Sequence, residues 1–236
     1  MRSITFIFRG FLQSWGLWSA SKDRTTERTP TKSAVIGLIA NAMGRTREES
    51  VADLAGLKMG VAVVAAGRIM LDYQTAGANY FRRMLDMAFD SSCVTPKKHG
   101  ITEPHTVLRN KYYIEDASFI VGFEGHEHSI EAIAEAIANP KRVIFLGRRA
   151  CLASRPPEPV LHSVDLKVAL LERVKSTRQS IPSGDRIAIH IESPFDPRFS
   201  CQKDVPLDFS SRTYGSRSIT VEHVTTPPSD PFFDNI

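Results

Sequence analysis

The feature that most constrains the fold is the order in which apolar periodicity changes along the first two-thirds of the chain. Ser3 to Arg9 alternates, with Ile4, Phe6 and Phe8 on one face, the pattern of a half-buried strand. Ala34, Val35, Leu38, Ile39 and Ala42 then recur at helical spacing, and Gly44 supplies a stop. Met59 to Ala65 and Arg68 to Tyr73 are extended segments around Ala66-Gly67, either a hairpin or one long bent strand. Ala117 to Phe123 reads as a strongly apolar strand. Ser129 can cap a helix whose Ile130, Ile133, Ala134 and Ile137 share one face, ended by Asn139-Pro140. Val143 to Leu146 is expected as a final buried strand.

This β-α-β-β-α-β order predicts an α+β class, with a ferredoxin-like (RRM-like) βαββαβ domain of the kind RNA-recognition modules use. Residues 76–111 have weak periodicity and mixed polar character, which predicts an insertion projecting from the core. Arg155-Pro156-Pro157-Glu158-Pro159 marks a boundary. Residues 1–155 are therefore expected to form the main domain, and 160–236 a small β-rich C-terminal part. The latter should hold a short helix around Val164 to Val174 and strands over Arg186 to Glu192 and Ser218 to Val224.

Composition narrows the function classes. The 236 residues are 42% hydrophobic, enough for a sizeable core, and the net charge of +4 permits a nucleic-acid partner without requiring one. Cys93, Cys151 and Cys201 are far apart and odd in number, so neither a disulfide framework nor a C-x-x-C zinc site is expected. No stretch has the apolar length of a membrane span, and a reduced, cytoplasmic protein without a membrane partner is the default. His126 and His128 flank Glu127 with no third ligand at metal spacing. P-loop, G-x-G-x-x-G and G-x-S-x-G motifs are lacking, so no metal and no cofactor is expected.

The basic residues sit where phosphate is bound well. Thr29-Pro30-Thr31-Lys32-Ser33 runs straight into the first apolar helix. A helix start exposes N–H groups and a positive dipole end, which attract anions. Arg24, Arg28, Lys32 and Ser33 can thus clamp a phosphate backbone. Leu146-Gly147-Arg148-Arg149 places two arginines after a glycine that allows close backbone approach. Lys111-Tyr112-Tyr113 offers a cation and two rings, one of them expected in the core. Trp15 either stacks on an unpaired base or packs under the loop as core.

A catalytic alternative also exists. Metal-independent RNA cleavage needs a base, a cation and an acid, which Lys97, Lys98 and His99 with Tyr80 or Tyr113 could supply. His99 lies beside a glycine within the insertion, a poor place to hold acid and base in register.

Five segments in order resemble a known family. They are Gly10-Phe11-Leu12-Gln13-Ser14-Trp15-Gly16, Arg28 to Leu38, Asp72-Tyr73-Gln74-Thr75-Ala76, Lys111 to Phe119, and Leu146-Gly147-Arg148-Arg149-Ala150-Cys151. Together they are similar to the CasD-type subunits of type I-E CRISPR Cascade, within the repeat-associated RNA-binding (RAMP) superfamily. The resemblance implies a non-catalytic subunit that grips the 5′ tag of the CRISPR RNA and caps the backbone filament. It also implies a backbone subunit and a large PAM-recognising subunit as partners, with target DNA met only indirectly. By position, Gln13, Trp15, Pro30, Thr31, Lys32 and Ser33 would line the tag site, and Lys111, Arg148 and Arg149 would hold its backbone. Residues 76 to 110 would be a thumb. The chain departs from the family at Gln74, where a His is common, and at Ala150, where a small polar residue is usual. In a sister subtype the equivalent subunit cuts RNA with a Tyr, a Lys and a His, the types found at Tyr80, Lys98 and His99.

Overall fold

The computed structural model describes residues 1–16, 23–77, 94–96, 102–104, 106–177, 186–194 and 200–225. Its first strand, β1 (Arg2–Arg9), is buried along nearly its whole length rather than on one face. Ile4, Phe6 and Phe8 enter one apolar cluster, while Ile7 enters a second on the other side of the sheet. β1 is thus a central strand, covered on both faces.

The chain continues through β2 (Leu12–Gln13) to α1 (Lys32–Met43), which Gly44 ends in the left-handed conformation. A single turn, α2 (Ala52–Ala55), precedes β3 (Lys58–Ala65) and β4 (Arg68–Gly77). β3 and β4 are neither a hairpin nor one bent strand: they belong to different sheets. β5 (Val94–Pro96) and β6 (Thr102–Pro104) pair with each other, and β7 (Thr106–Glu115) pairs with β4 over ten positions. The ends of the expected insertion are therefore the two long strands of one ribbon. Then come β8 (Ser118–Gly125) and α3 (Glu127–Ala138). Its N-cap is His126, not Ser129, and Ile130, Ile133 and Ile137 are buried as the periodicity requires.

Two expectations need correction here. Val143 to Leu146 forms no strand; Val143 is 61% exposed, and Phe145 only bridges to Leu152. The strand beside β1 is instead β9 (Val160–His162). The C-terminal part also does not stand apart. After α4 (Leu166–Ser176), β10 (Arg186–Ser193) pairs with β3, and β12 (Thr213–Thr225) lies between β10 and β11 (Ser200–Asp208). The result is a seven-stranded antiparallel sheet in the order β11-β12-β10-β3-β8-β1-β9.

One sheet face carries α1 and α3, whose apolar residues share a cluster with Phe6, Phe119 and Phe123. α4 covers the other face through Leu166, Leu170 and Val174. Gly60 and Gly122 are partners across β3 and β8, and a Cβ on either would come within 2.7 Å of a leucine of α4. The paired glycines let the helix approach the sheet closely enough to bury that leucine pair.

Candidate nucleic-acid interface

Three separated pieces of sequence converge next to α1. The Ser14 N–H donates to the Leu146 carbonyl at 3.0 Å, tying the end of β2 to the Gly147-Arg148 bend. Gly147 has φ +95°, and a Cβ there would lie 1.7 Å from the Ser14 carbonyl oxygen, so only glycine fits. The loop after Trp15 returns antiparallel to it, with the Glu27 N–H donating to the Trp15 carbonyl. That loop also pairs with β7, where Arg24 bridges Lys111.

Between these pieces and α1 lies a cleft of about 520 Å³. Ser14, Gly16, Arg24, Thr25, Ser33 and Arg148 contribute walls. Arg47, Phe145, Phe209, Arg212 and Tyr214 also line it, and α1 supplies the floor through Ala34, Gly37, Leu38 and Asn41. Among the described residues the lining holds four arginines and no acid. Sequence reasoning missed Arg47, Arg212 and Tyr214, because only the pairing of β11 and β12 beside α1 delivers the last two.

Arg148 is the best defined of these side chains. Its Nη2 donates to the Arg24 carbonyl at 2.7 Å, and its guanidinium carbon lies 4.8 Å from the centre of the Tyr113 ring. Tyr113 is the buried one of the two tyrosines. Nη1 of Arg148 is enclosed and has no hydrogen-bond partner among the described residues.

Several expected site residues are engaged by other parts of the chain. Lys32 is 1% exposed, and its Nζ donates to both oxygens of Glu192 at 3.0 and 2.8 Å. The helix start is occupied by protein: the Lys32 N–H donates to Asp204 Oδ2 at 2.7 Å. Arg217 completes the group with two bonds to Asp204 at 2.7 and 2.8 Å. Burial pushes the Lys32 pKa below the usual lysine value, with Glu192 acting against it. Two internal carboxylates thus stand where phosphate was expected at the opening of α1.

Trp15 is fully buried and stacks on Phe8, with ring centroids 5.5 Å apart, the packed alternative of the two. Gln13 is likewise buried. Its Oε1 accepts from Trp15 Nε1 at 3.0 Å, and its Nε2 donates to the Ala117 carbonyl at 2.7 Å. Pro30 and Thr31 are buried beneath the loop. Arg28 and Arg149 are exposed and lie outside the cleft lining, and Lys111 is half-buried on β7. Tyr80, Lys98 and His99 lie outside the described residues. Among the described residues no group of three His, Cys, Asp or Glu side chains gathers, and no helix is long and apolar enough to cross a membrane.

A family model described as CRISPR-associated protein (Cas_Cas5) matches residues 3–221. The chain belongs to this CRISPR-associated Cas5 family. It is 27% identical over 164 residues to the CRISPR system Cascade subunit CasD of Escherichia coli (strain K12), covering 66% of this chain and 70% of that one. Its fold matches a solved CRISPR RNA-guided surveillance complex chain with a TM-score of 0.72 and 26% identity, over 95% of this chain and 91% of that chain. A second solved structure, described as a Cas protein, matches with a TM-score of 0.69 and 27% identity, over 97% of this chain and all of the other. The family match thus spans the described fold from β1 nearly to the end of β12.

Proposed function

We propose that this Cas5-family chain is a non-catalytic subunit of a CRISPR RNA-guided surveillance complex that holds the 5′ tag of the CRISPR RNA. The observation that carries the reading is the cleft that, among the described residues, is lined by four arginines and no acid, with the Arg148 guanidinium held by the Arg24 carbonyl and the Tyr113 ring. Arginine suits this role because its planar donors match phosphate oxygens and its face stacks on bases. The similarity to a Cascade subunit and to a chain of a surveillance complex supports the same assignment.

On this reading the unit β1-α1-β3-β8-α3-β9 is the ferredoxin-like core, since its strands stand in the order β3-β8-β1-β9 with both helices on one face. The arginines neutralise the tag backbone, and guide pairing, not this chain, reads the target. The β4–β7 ribbon is the base of the thumb that meets a backbone subunit, and a large PAM-recognising subunit adjoins. The chain caps the filament and touches target DNA only through the assembled complex.

The test is guide-RNA retention by a complex built with Arg24→Ala/Arg148→Ala. Loss of phosphate contacts should weaken retention and flatten the dependence of log K on log salt by about 1 per contact. Unchanged retention and slope would sink the reading. Incubation with repeat RNA in chelator probes catalysis separately: a discrete product that vanished in His99→Ala would make the chain a nuclease.

A further inference from the structure

We propose that the turn joining β11 to β12 is a second jaw of the arginine cleft, and that it grips one unpaired nucleotide of a single-stranded RNA. Arg212 would meet a phosphate, and the rings of Tyr214 and Phe145 would face the base. The inference deepens the RNA-binding reading above and rests on it.

Four features of the turn support this. First, Arg212 and Tyr214 line the same cleft as Arg24 and Arg148, although they come from the far end of the sequence. Second, the turn is held by its own side-chain hydrogen bonds. The Asp208 carboxylate accepts from the N–H and the hydroxyl of both Ser210 and Ser211, at 2.6 to 3.3 Å. Those bonds hold its pKa down at about 2, so the carboxylate that organises the turn is charged near neutral pH.

Third, Arg212 takes φ +56°, a left-handed conformation that glycine adopts without penalty and arginine does not. The turn thus carries backbone strain at a residue that lines the cleft. Fourth, the jaw is fixed to the helix that forms the floor. A Cβ on Gly37 would lie 3.5 Å from Phe209 Cζ, which places that ring against α1, and Asp204 of the same strand bonds the first N–H of α1.

The chemistry of the walls selects the ligand. A cleft of about 520 Å³ falls in the size range of sites that enclose one small ligand. Aromatic faces accept any base by stacking, and guanidinium groups accept the adjoining phosphates. A paired base in a duplex cannot present its face, so the nucleotide held here must be splayed out.

The experiment measures fluorescence anisotropy of the purified full chain with a labelled oligoadenylate and with the same backbone carrying abasic sites. Arg212→Gly should weaken oligoadenylate binding roughly tenfold while the unfolding midpoint rises, because glycine relieves the left-handed backbone. Arg212→Asn, which also tolerates that conformation, should lose the same affinity and guards against an idiosyncratic fold of the glycine variant. Tyr214→Ala should weaken the oligoadenylate and leave the abasic strand unchanged. Wild-type affinity in both Arg212 variants, with Arg148→Ala still weakened, would overturn the jaw and leave the RNA-binding reading standing. If the wild-type chain binds neither strand more tightly than it binds inorganic polyphosphate, that reading falls and the jaw with it.

Discussion

Asp204 caps the helix that Lys32 begins: its Oδ2 accepts the Lys32 N–H at 2.7 Å while Lys32 Nζ turns away to Glu192. Together with Arg217 these residues form a neutral group of two cations and two anions, most of it buried. Removing one member of a buried pair strands the other, which costs about 3–5 kcal/mol, whereas replacing both members costs far less. Asp204→Ala should therefore lower the unfolding free energy by about that amount in urea denaturation, and Asp204→Leu/Arg217→Met should recover a large part of it. A single variant as stable as the wild type would show that the group is not what joins β11 to α1.

Gln13 separates a structural role from a binding role. Its amide links the Trp15 indole to the Ala117 carbonyl inside the core. Gln13→Leu leaves both partners buried and unpaired, at about 1–3 kcal/mol for each group. The expected result is a lower unfolding midpoint and a shifted tryptophan emission, with RNA affinity of the remaining folded protein little changed. A large loss of affinity at unchanged stability would return Gln13 to the binding surface.

The sequence showed its elements wherever one period ruled, and misled where residues far apart supplied the constraint. Ile4, Phe6 and Phe8 alternate because they face one cluster, and Ile130, Ile133 and Ile137 recur because α3 has one buried side. β11 was invisible, since register shifts between Gln202 and Val205 and between Pro206 and Asp208 break its alternation. Val143 to Leu146 is apolar yet bends around Gly147 instead of extending. Lys32 looked like an anion receptor because its own neighbours carry no acid. The acid that takes the site is 172 positions away in sequence. The arginine cleft was half legible for the same reason: Arg24 and Arg148 stand in suggestive segments, while Arg212 needs the whole sheet to reach them.

His190 gives stability a pH dependence with a defined sign. Burial, with His223 and Arg217 nearby, lowers its pKa below the ordinary 6.5. The imidazole is then neutral in the fold while the unfolded chain still takes up a proton. Its contribution is complete above the ordinary value and is lost as pH falls below it. Between about pH 7.5 and about pH 5.5 the wild type should lose more urea stability than His190→Gln. Equal losses in the two proteins would assign the pH dependence to other groups.

Two glycines at the cleft should respond in opposite directions to the same substitution. Gly147→Ala puts a methyl group 1.7 Å from the Ser14 carbonyl oxygen on a backbone with φ +95°. The bend must shift, breaking the Ser14–Leu146 pairing and moving Arg148, at a cost of more than about 1 kcal/mol. Gly37→Ala sits inside α1, where its methyl would make an ordinary 3.5 Å contact with Phe209. Alanine is favoured over glycine in a helix by about 0.5–1 kcal/mol, so this variant should be the more stable. Thermal unfolding of the two proteins reads both effects, and guide-RNA retention should fall for Gly147→Ala. If Gly147→Ala melts and binds as the wild type does, the bend is not held by Ser14, and Arg148 is not positioned by it.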